Sequence, residues 1–73
     1  MRNYLNLGGN SSVIGYEYGY DSITVYFGTA RKPYTYSYSS AGVENVETMK
    51  KLADRGYGLC SFIQRNVRYC YER

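Results

Sequence analysis

Histidine and tryptophan are absent from this 73-residue chain, and proline occurs only once. Without histidine the chain lacks the usual general base, the usual proton shuttle and the commonest metal ligand. The two cysteines, Cys60 and Cys70, are too few for a zinc site. They are interpreted as free thiols, with a single Cys60–Cys70 bridge as the less favoured alternative. No glycine motif that cradles phosphate is present, and no two acids can be placed together. We therefore predict a non-enzymatic chain with no catalytic residues, no metal and no cofactor.

Long apolar runs are also missing. Residues 1–7 contain one arginine and no long apolar segment, so they lack the core of a secretory signal. No stretch approaches the roughly 20 apolar residues that a membrane span needs. We expect a cytoplasmic protein without membrane contact. The length suits one small domain, whose functional feature is a shallow surface, a groove or an interface.

The net charge of +3 is concentrated near the C-terminus. Residues 1–54 hold five bases and five acids, whereas residues 55–73 hold four arginines against Glu72. The four are Arg55, Arg65, Arg68 and Arg73. Arginine binds phosphate through planar, bidentate hydrogen bonds and stacks on aromatic rings. The cluster indicates either an ordinary solvated helix face or an anion-binding patch.

Alternation of apolar residues predicts three strands, at residues 12–18, 22–27 and 34–38. A two-residue turn at Gly19-Tyr20 would pair Tyr16 with Ile23, and a four-residue turn would shift the pairing by two. Both registers keep the same faces. The predicted core face carries Ile14, Tyr16, Ile23, Val25 and Phe27. Residues 1–10 form an N-terminal segment with a short alternation, which suits an additional edge strand.

Two helices follow the strands. The first is indicated by apolar residues at three- and four-residue steps, and Gly56 is its natural stop. These residues are Val43, Val46, Met49, Leu52 and Ala53. A second, shorter helix is indicated by Leu59, Phe62, Ile63 and Val67. The predicted fold is therefore α+β, with a three-stranded or four-stranded antiparallel sheet followed by two helices packed on one face.

Tyrosine is unusually frequent, with 11 residues against 2 phenylalanines. The ordinary interpretation places rings such as Tyr16, Tyr36 and Tyr57 at the rim of a thin core, with their hydroxyls in water. The functional interpretation is an aromatic surface near arginines, on which nucleotide bases stack. Tyr26 is expected on the open face of the sheet. The face occupied by Tyr34, Tyr36 and Tyr38 stays open.

Four short motifs, in order, resemble the KTSC family. They are SSVIGY at residues 11–16, YTY at 34–36, RGY followed by FI at 55–63, and YCYER at 69–73. The chain departs from that family at residues 39–42, where SSAG replaces a Val-Pro step into the first helix. The resemblance covers residues 11–73 and implies one small α+β domain. The family occurs alone in bacteria and phages, or attached to some lysyl-tRNA synthetases.

That attachment suggests RNA binding, although the family has no established biochemical activity. We predict a module that binds RNA, other single-stranded nucleic acid or a nucleotide. Its candidate phosphate-binding residues are Arg65, Arg68 and Arg73, its candidate stacking residues are Tyr69, Tyr71 and Tyr26, and Arg31 and Lys32 would extend the patch. The alternatives are a protein-interaction module, such as a phage-encoded inhibitor of a host protein or a homo-oligomer, and a sponge for a signalling nucleotide.

Overall fold

The computed structural model describes residues 2–5, 12–28 and 32–72. Within them lies a four-stranded antiparallel sheet in the order β1-β2-β3-β4, with helices packed on one face. The strands are β1 Arg2–Asn3, β2 Val13–Tyr18, β3 Ser22–Phe27 and β4 Tyr34–Ser37. The helices are α1 Tyr38–Ala41, α2 Val43–Arg55 and α3 Leu59–Phe62, which continues as a π-helical segment, Ile63–Val67. The predicted α+β fold is confirmed, in its four-stranded form.

The pairing of β2 with β3 follows the four-residue turn. Tyr18 pairs with Ile23 and Tyr16 pairs with Val25, so the register of the two-residue turn is wrong. The ammonium group of Lys50 stabilises this turn, because Nζ donates to the carbonyl oxygens of Gly19 at 2.8 Å and Tyr20 at 3.1 Å. A side chain from α2 therefore stabilises the four-residue turn. The sequence around Gly19 alone does not distinguish the four-residue turn from the two-residue turn.

A bulge in β2 reverses the predicted face of its first residues. The register shifts between Val13 and Gly15, and the extra residue turns Ile14 outward, where it is 53% exposed. Val13, which the same alternation places on the face opposite Ile14, is buried instead. An inserted residue breaks the two-residue side-chain period on one side of it. The assignment of Ile14 to the core is therefore wrong, while that of Tyr16 is confirmed.

The third predicted strand ends one residue early because a helix begins there. Ser37 Oγ accepts from the backbone N–H of Ser40 at 3.2 Å, and Ser40 Oγ accepts from that of Ser37 at 3.0 Å. This reciprocal pair is a capping box, which satisfies two backbone donors at a helix start. Tyr38 therefore opens α1 instead of ending β4, and residues 39–41, which precede the predicted first helix, continue this helical turn.

Helix α2 packs its apolar stripe against the sheet. Val46, Met49 and Ala53 are buried, whereas Val43, at the start of the predicted stripe, is exposed. The helix ends at Gly56, which adopts the left-handed conformation with φ of 79° and donates its N–H to the carbonyls of the last turn. The predicted helix and its glycine stop are confirmed.

Tyrosines form part of the core itself. Tyr16 and Tyr36 are only 5% and 1% exposed, so placing them at the rim was wrong, whereas Tyr57 is exposed. Tyr4 is a further core residue that the sequence pattern did not identify, and its hydroxyl accepts from the backbone N–H of Leu59 at 3.2 Å. A buried phenol favours a hydrogen-bond partner, and the hydroxyls of Tyr4 and Tyr16 each bond to a residue far away in the sequence.

The hydroxyl of Tyr16 anchors α2 to the sheet through Asp54. Tyr16 Oη donates to Asp54 Oδ1 at 2.7 Å, and Tyr18 Oη donates to Oδ2 at 3.0 Å. The guanidinium of Arg2 lies 3.7 Å from Oδ1 and stacks over the Tyr18 ring at 5.0 Å. The carboxylate therefore joins the C-terminal half of α2 to β1 and β2.

We expect Tyr16→Phe to lower the free energy of unfolding by about 1.5 kcal/mol, because it removes a hydrogen bond to a charged group. Urea denaturation measures the change. Tyr20→Phe is the matched control, since Tyr20 is 90% exposed and its removal of the same atom should cost less than about 0.5 kcal/mol. Equal losses in the two variants would contradict the anchoring role of the Tyr16 hydroxyl.

Candidate ligand-binding groove

A surface groove of about 540 Å³ lies between the sheet and the C-terminal helix. The sheet contributes side chains from the ends of β3 and β4, and the opposite wall comes from α3, the π-helical segment and the residues after it. Its lining comprises Ser12, Phe27, Tyr34, Tyr36, Cys60, Ile63, Gln64, Arg68, Tyr69 and Tyr71. The volume lies within the range of about 300–1,000 Å³ that is usual for small-ligand sites.

One side of the groove is a continuous set of aromatic contacts. The ring of Tyr34 lies 4.6 Å from that of Tyr71 and 5.6 Å from that of Phe27. Tyr36 meets Tyr71 edge-on at 6.3 Å. These separations are those of favourable aromatic pairs, so the rings support one another in fixed positions. The groove therefore offers a preformed surface for a planar ring.

The C-terminal residues reach the groove because they are hydrogen-bonded to β4. The backbone N–H of Glu72 donates to the carbonyl of Thr35 at 2.6 Å, and the Ser37 hydroxyl donates to Glu72 Oε2 at 2.6 Å. Residue 72 thus pairs with an otherwise free strand edge, which also protects that edge from other strands. This docking places Tyr71 against Tyr34.

The π-helical segment Ile63–Val67 arranges the opposite wall. Ile63 and Val67, four residues apart, are buried, and Ile63 also borders the groove. Gln64 and Arg68, each one residue further on, are exposed and line the groove. A π-helix widens the turn and occurs frequently at functional sites. The segment buries one edge of the helix in the core and presents polar side chains to the groove.

Arg68 is the charged residue among those described as lining the groove. Its guanidinium carbon lies 5.3 Å from the centre of the Tyr69 ring, and that ring is 68% exposed. Stacking on an aromatic face leaves the edge N–H groups of a guanidinium free to bind an anion. The pair therefore joins an exposed ring to a phosphate-binding group at the mouth of the groove.

The Tyr36 hydroxyl is the most deeply placed polar group of the lining. The residue is 1% exposed, and no hydrogen bond joins its Oη to any other described residue. Throughout residues 2–5, 12–28 and 32–72, every fully buried side-chain oxygen or nitrogen has a partner. The Tyr36 Oη is therefore not fully enclosed and opens into the groove. Burial, followed by the nearby Tyr34 and Tyr71, raises the pKa of this phenol to about 12, so it is neutral near pH 7.

The groove unites three of the eight predicted site residues: Arg68, Tyr69 and Tyr71. Arg65 and Lys32 are exposed but do not line it. Tyr26 alternates with the buried Val25 and so lies on the far face of the sheet, where its hydroxyl donates to Glu17 at 3.3 Å. The other two predicted residues, Arg31 and Arg73, lie outside the described residues.

Several lining residues were missed by sequence reasoning. Cys60 and Gln64 precede the predicted Arg68 at intervals of four, which is the spacing of one helix face and could have been recognised. Gln64 Nε2 donates to the Cys60 sulfur at 3.7 Å along that face. The contributions of Phe27 and Tyr36 depend on long-range docking of the C-terminal residues, which no local pattern shows.

Among the described residues, no three histidine, cysteine, aspartate or glutamate side chains are grouped so that they could hold a metal ion. In the same part of the chain, no helix has the length and apolar content required to cross a membrane. Cys60 and Cys70 are free and partly buried, in agreement with their interpretation as thiols.

Comparison of the chain with protein-family models, curated proteins and solved structures finds no match. The resemblance to the KTSC family therefore stays a prediction that rests on the four motifs alone.

Proposed function

We propose that this domain is a cytoplasmic, non-enzymatic module that binds a nucleotide or single-stranded nucleic acid in the groove. The observation that carries the proposal is the Arg68–Tyr69 pair at the edge of an aromatic-lined groove. A base stacked on a tyrosine contributes about 1–3 kcal/mol, and the adjacent guanidinium holds phosphate. Both groups are exposed and adjacent, so one ligand can contact them together.

The test is fluorescence anisotropy with a labelled, mixed-sequence single-stranded RNA at low and at physiological salt. We expect micromolar binding that weakens as salt rises, because phosphate binding releases counterions. We also expect Arg68→Ala to weaken binding about tenfold, since a charged hydrogen bond to phosphate contributes roughly 1.5–3 kcal/mol and this one is exposed to solvent.

Arg55→Ala is the matched control for that variant. Arg55 also stacks on a neighbouring tyrosine, at 5.7 Å from the Tyr57 ring, but neither residue lines the groove. The control therefore removes the same charge and the same type of contact elsewhere on the surface. Equal weakening in both variants would show that net charge alone governs binding, and unchanged affinity of Arg68→Ala would refute the assignment of the site.

The alternative function is protein interaction, for which the exposed Tyr69 beside Arg68 is also suitable chemistry. A host protein or a second copy of the chain would then occupy this surface. Such an interface should depend on salt much less than phosphate binding does. Absence of RNA binding at low salt, together with capture of a partner that Arg68→Ala abolishes, would favour this alternative.

A further inference from the structure

The unpaired Tyr36 hydroxyl indicates what the interior of the groove recognises. Its ring is held in the core, so the position of Oη is fixed before any ligand arrives. A neutral phenol both donates and accepts a hydrogen bond. A polar group that is nearly buried, pre-positioned and without a partner in the described part of the chain suits a ligand that carries a complementary polar edge.

The aromatic lining specifies the shape of that ligand. Tyr34 and Tyr71 present a tilted pair beside the hydroxyl, and Tyr69 is exposed at the mouth. A planar heteroaromatic ring can stack against these tyrosines while its edge reaches Oη of Tyr36. A nucleobase has this combination of a flat face and a hydrogen-bonding edge.

The charges specify how much of a nucleic-acid strand fits. Arg68 lies on the helical wall, whereas the carboxylate of Glu72 lies beside β4, held by Ser37. A phosphate at Arg68 is attracted, whereas a second phosphate beside β4 would approach the carboxylate of Glu72. Proteins that follow a strand instead place several cations along its backbone.

We infer that the groove holds a single nucleotide unit, with its base against the Tyr36 hydroxyl and its phosphate on Arg68. This inference rests on the proposed function and narrows it to a nucleoside monophosphate or the terminal nucleotide of a strand. The two sources share the same chemistry. Arg68 is the single cation among the described lining residues, so the groove offers one phosphate position and favours a nucleotide with one phosphate over the internal nucleotides of a strand.

The experiment compares ligands of increasing length by isothermal titration calorimetry. The ligands are AMP, GMP, CMP, UMP, ribose 5-phosphate, and an RNA 8-mer with and without a 5′-phosphate. We expect at least one monophosphate to bind within about tenfold of the 8-mer and well above ribose 5-phosphate. Stronger binding of the phosphorylated 8-mer than of the unphosphorylated one identifies a strand end as the source, and tighter binding of the free nucleotide identifies the monomer.

Tyr36→Phe tests the role of the hydroxyl. Loss of one neutral hydrogen bond should weaken nucleotide binding about fivefold. The variant should fold normally, because the hydroxyl has no partner among the described residues. Tyr20→Phe, which removes the same atom from a residue outside the groove lining, should bind as the unmodified chain does.

The rate of cysteine alkylation measures independently whether nucleotide occupies the groove. Cys60 lines the groove and Cys70 does not, so saturating nucleotide should slow iodoacetamide labelling of Cys60 alone. Binding of the 8-mer without binding of any monophosphate overturns the inference and leaves the proposed function standing. Equal binding of ribose 5-phosphate, unchanged affinity of Tyr36→Phe or unprotected Cys60 also overturns it. If neither monophosphates nor the 8-mer bind, both proposals fail.

Discussion

We expect Gly56→Ala to lower the free energy of unfolding by about 3 kcal/mol, which is most of what a domain of this size retains. Two effects add. The backbone of Gly56 has φ of 79°, and a side chain in this left-handed region costs about 1–2 kcal/mol. A Cβ at this position would also lie only 2.5 Å from the Cβ of Leu5, and relieving such overlap typically costs about 1–3 kcal/mol.

Gly58→Ala separates the two effects. Gly58 has a similar φ of 86°, but its nearest neighbour for an added Cβ is a flexible Leu52 methyl at 3.8 Å. This variant should lose only the conformational part, about 1 kcal/mol. Urea denaturation of both proteins measures the difference, and equal losses would show that the approach of Leu5 does not matter.

Removing the opposing atom should restore part of the stability. Leu5→Gly deletes the Cβ that meets residue 56, while Leu5→Ala retains it. In the Gly56→Ala background, Leu5→Gly should therefore be better tolerated than in the unmodified chain, with a coupling free energy of at least about 1 kcal/mol. Additive losses would contradict a direct contact between the N-terminal segment and the end of α2.

Local periodicity was sufficient for the parts of the fold that depend on near neighbours. The bounds of β3 and the helix ending at Gly56 were predicted because alternation, spacing and a C-terminal glycine agreed. The prediction failed where one residue or one cap altered the period. The bulge that exposes Ile14 and the capping box that converts Tyr38 from strand to helix leave the apolar pattern unchanged.

The candidate site was only partly predictable because its two walls are distant in the sequence. Arg68, Tyr69 and Tyr71 were recognised from their clustering near the C-terminus, and they do line one groove. The sheet side of the groove meets these residues where the backbone N–H of Glu72 donates to the carbonyl of Thr35, a contact between residues 37 positions apart. Which face of β4 carries Tyr36 was open for the same reason.

A second large effect is expected in alkaline solution, where we predict cooperative unfolding between about pH 10 and 12. The pKa of Tyr36 is raised to about 12, mainly by burial, whereas the unfolded phenol ionises near 10. The folded state therefore keeps a proton that the unfolded state releases. The stabilising contribution of Tyr36 is complete below about pH 10 and is lost as the pH rises toward 12. The total is at most about 3 kcal/mol and is reduced by water that reaches the hydroxyl through the groove.

The pKa of Tyr38 is also raised, but its main cause is a hydrogen bond and not burial. Its hydroxyl donates to Glu47 Oε2 at 2.6 Å, and this bond is the main cause that raises the pKa of Tyr38 to about 12. Ionisation of Tyr38 would place two negative oxygens in contact beside Lys50, which pairs with Glu47 at 3.0 Å. Loss of this link should loosen α1 from α2 over the same pH interval.

Circular dichroism and tyrosinate absorbance, followed together from pH 8 to 12.5, test this prediction. One component of the tyrosinate absorbance should rise together with the change in the circular dichroism signal, because Tyr36 ionises as the domain unfolds. Tyr36→Phe keeps the ring but has no proton to lose, so its unfolding should move to higher pH, while Tyr20→Phe should not shift it. Coincident unfolding of Tyr36→Phe and the unmodified chain would show that the buried phenol does not govern alkaline stability.

Because the same hydroxyl is the proposed contact for the base, bound nucleotide should also move unfolding to higher pH in the unmodified chain, and less so in Tyr36→Phe.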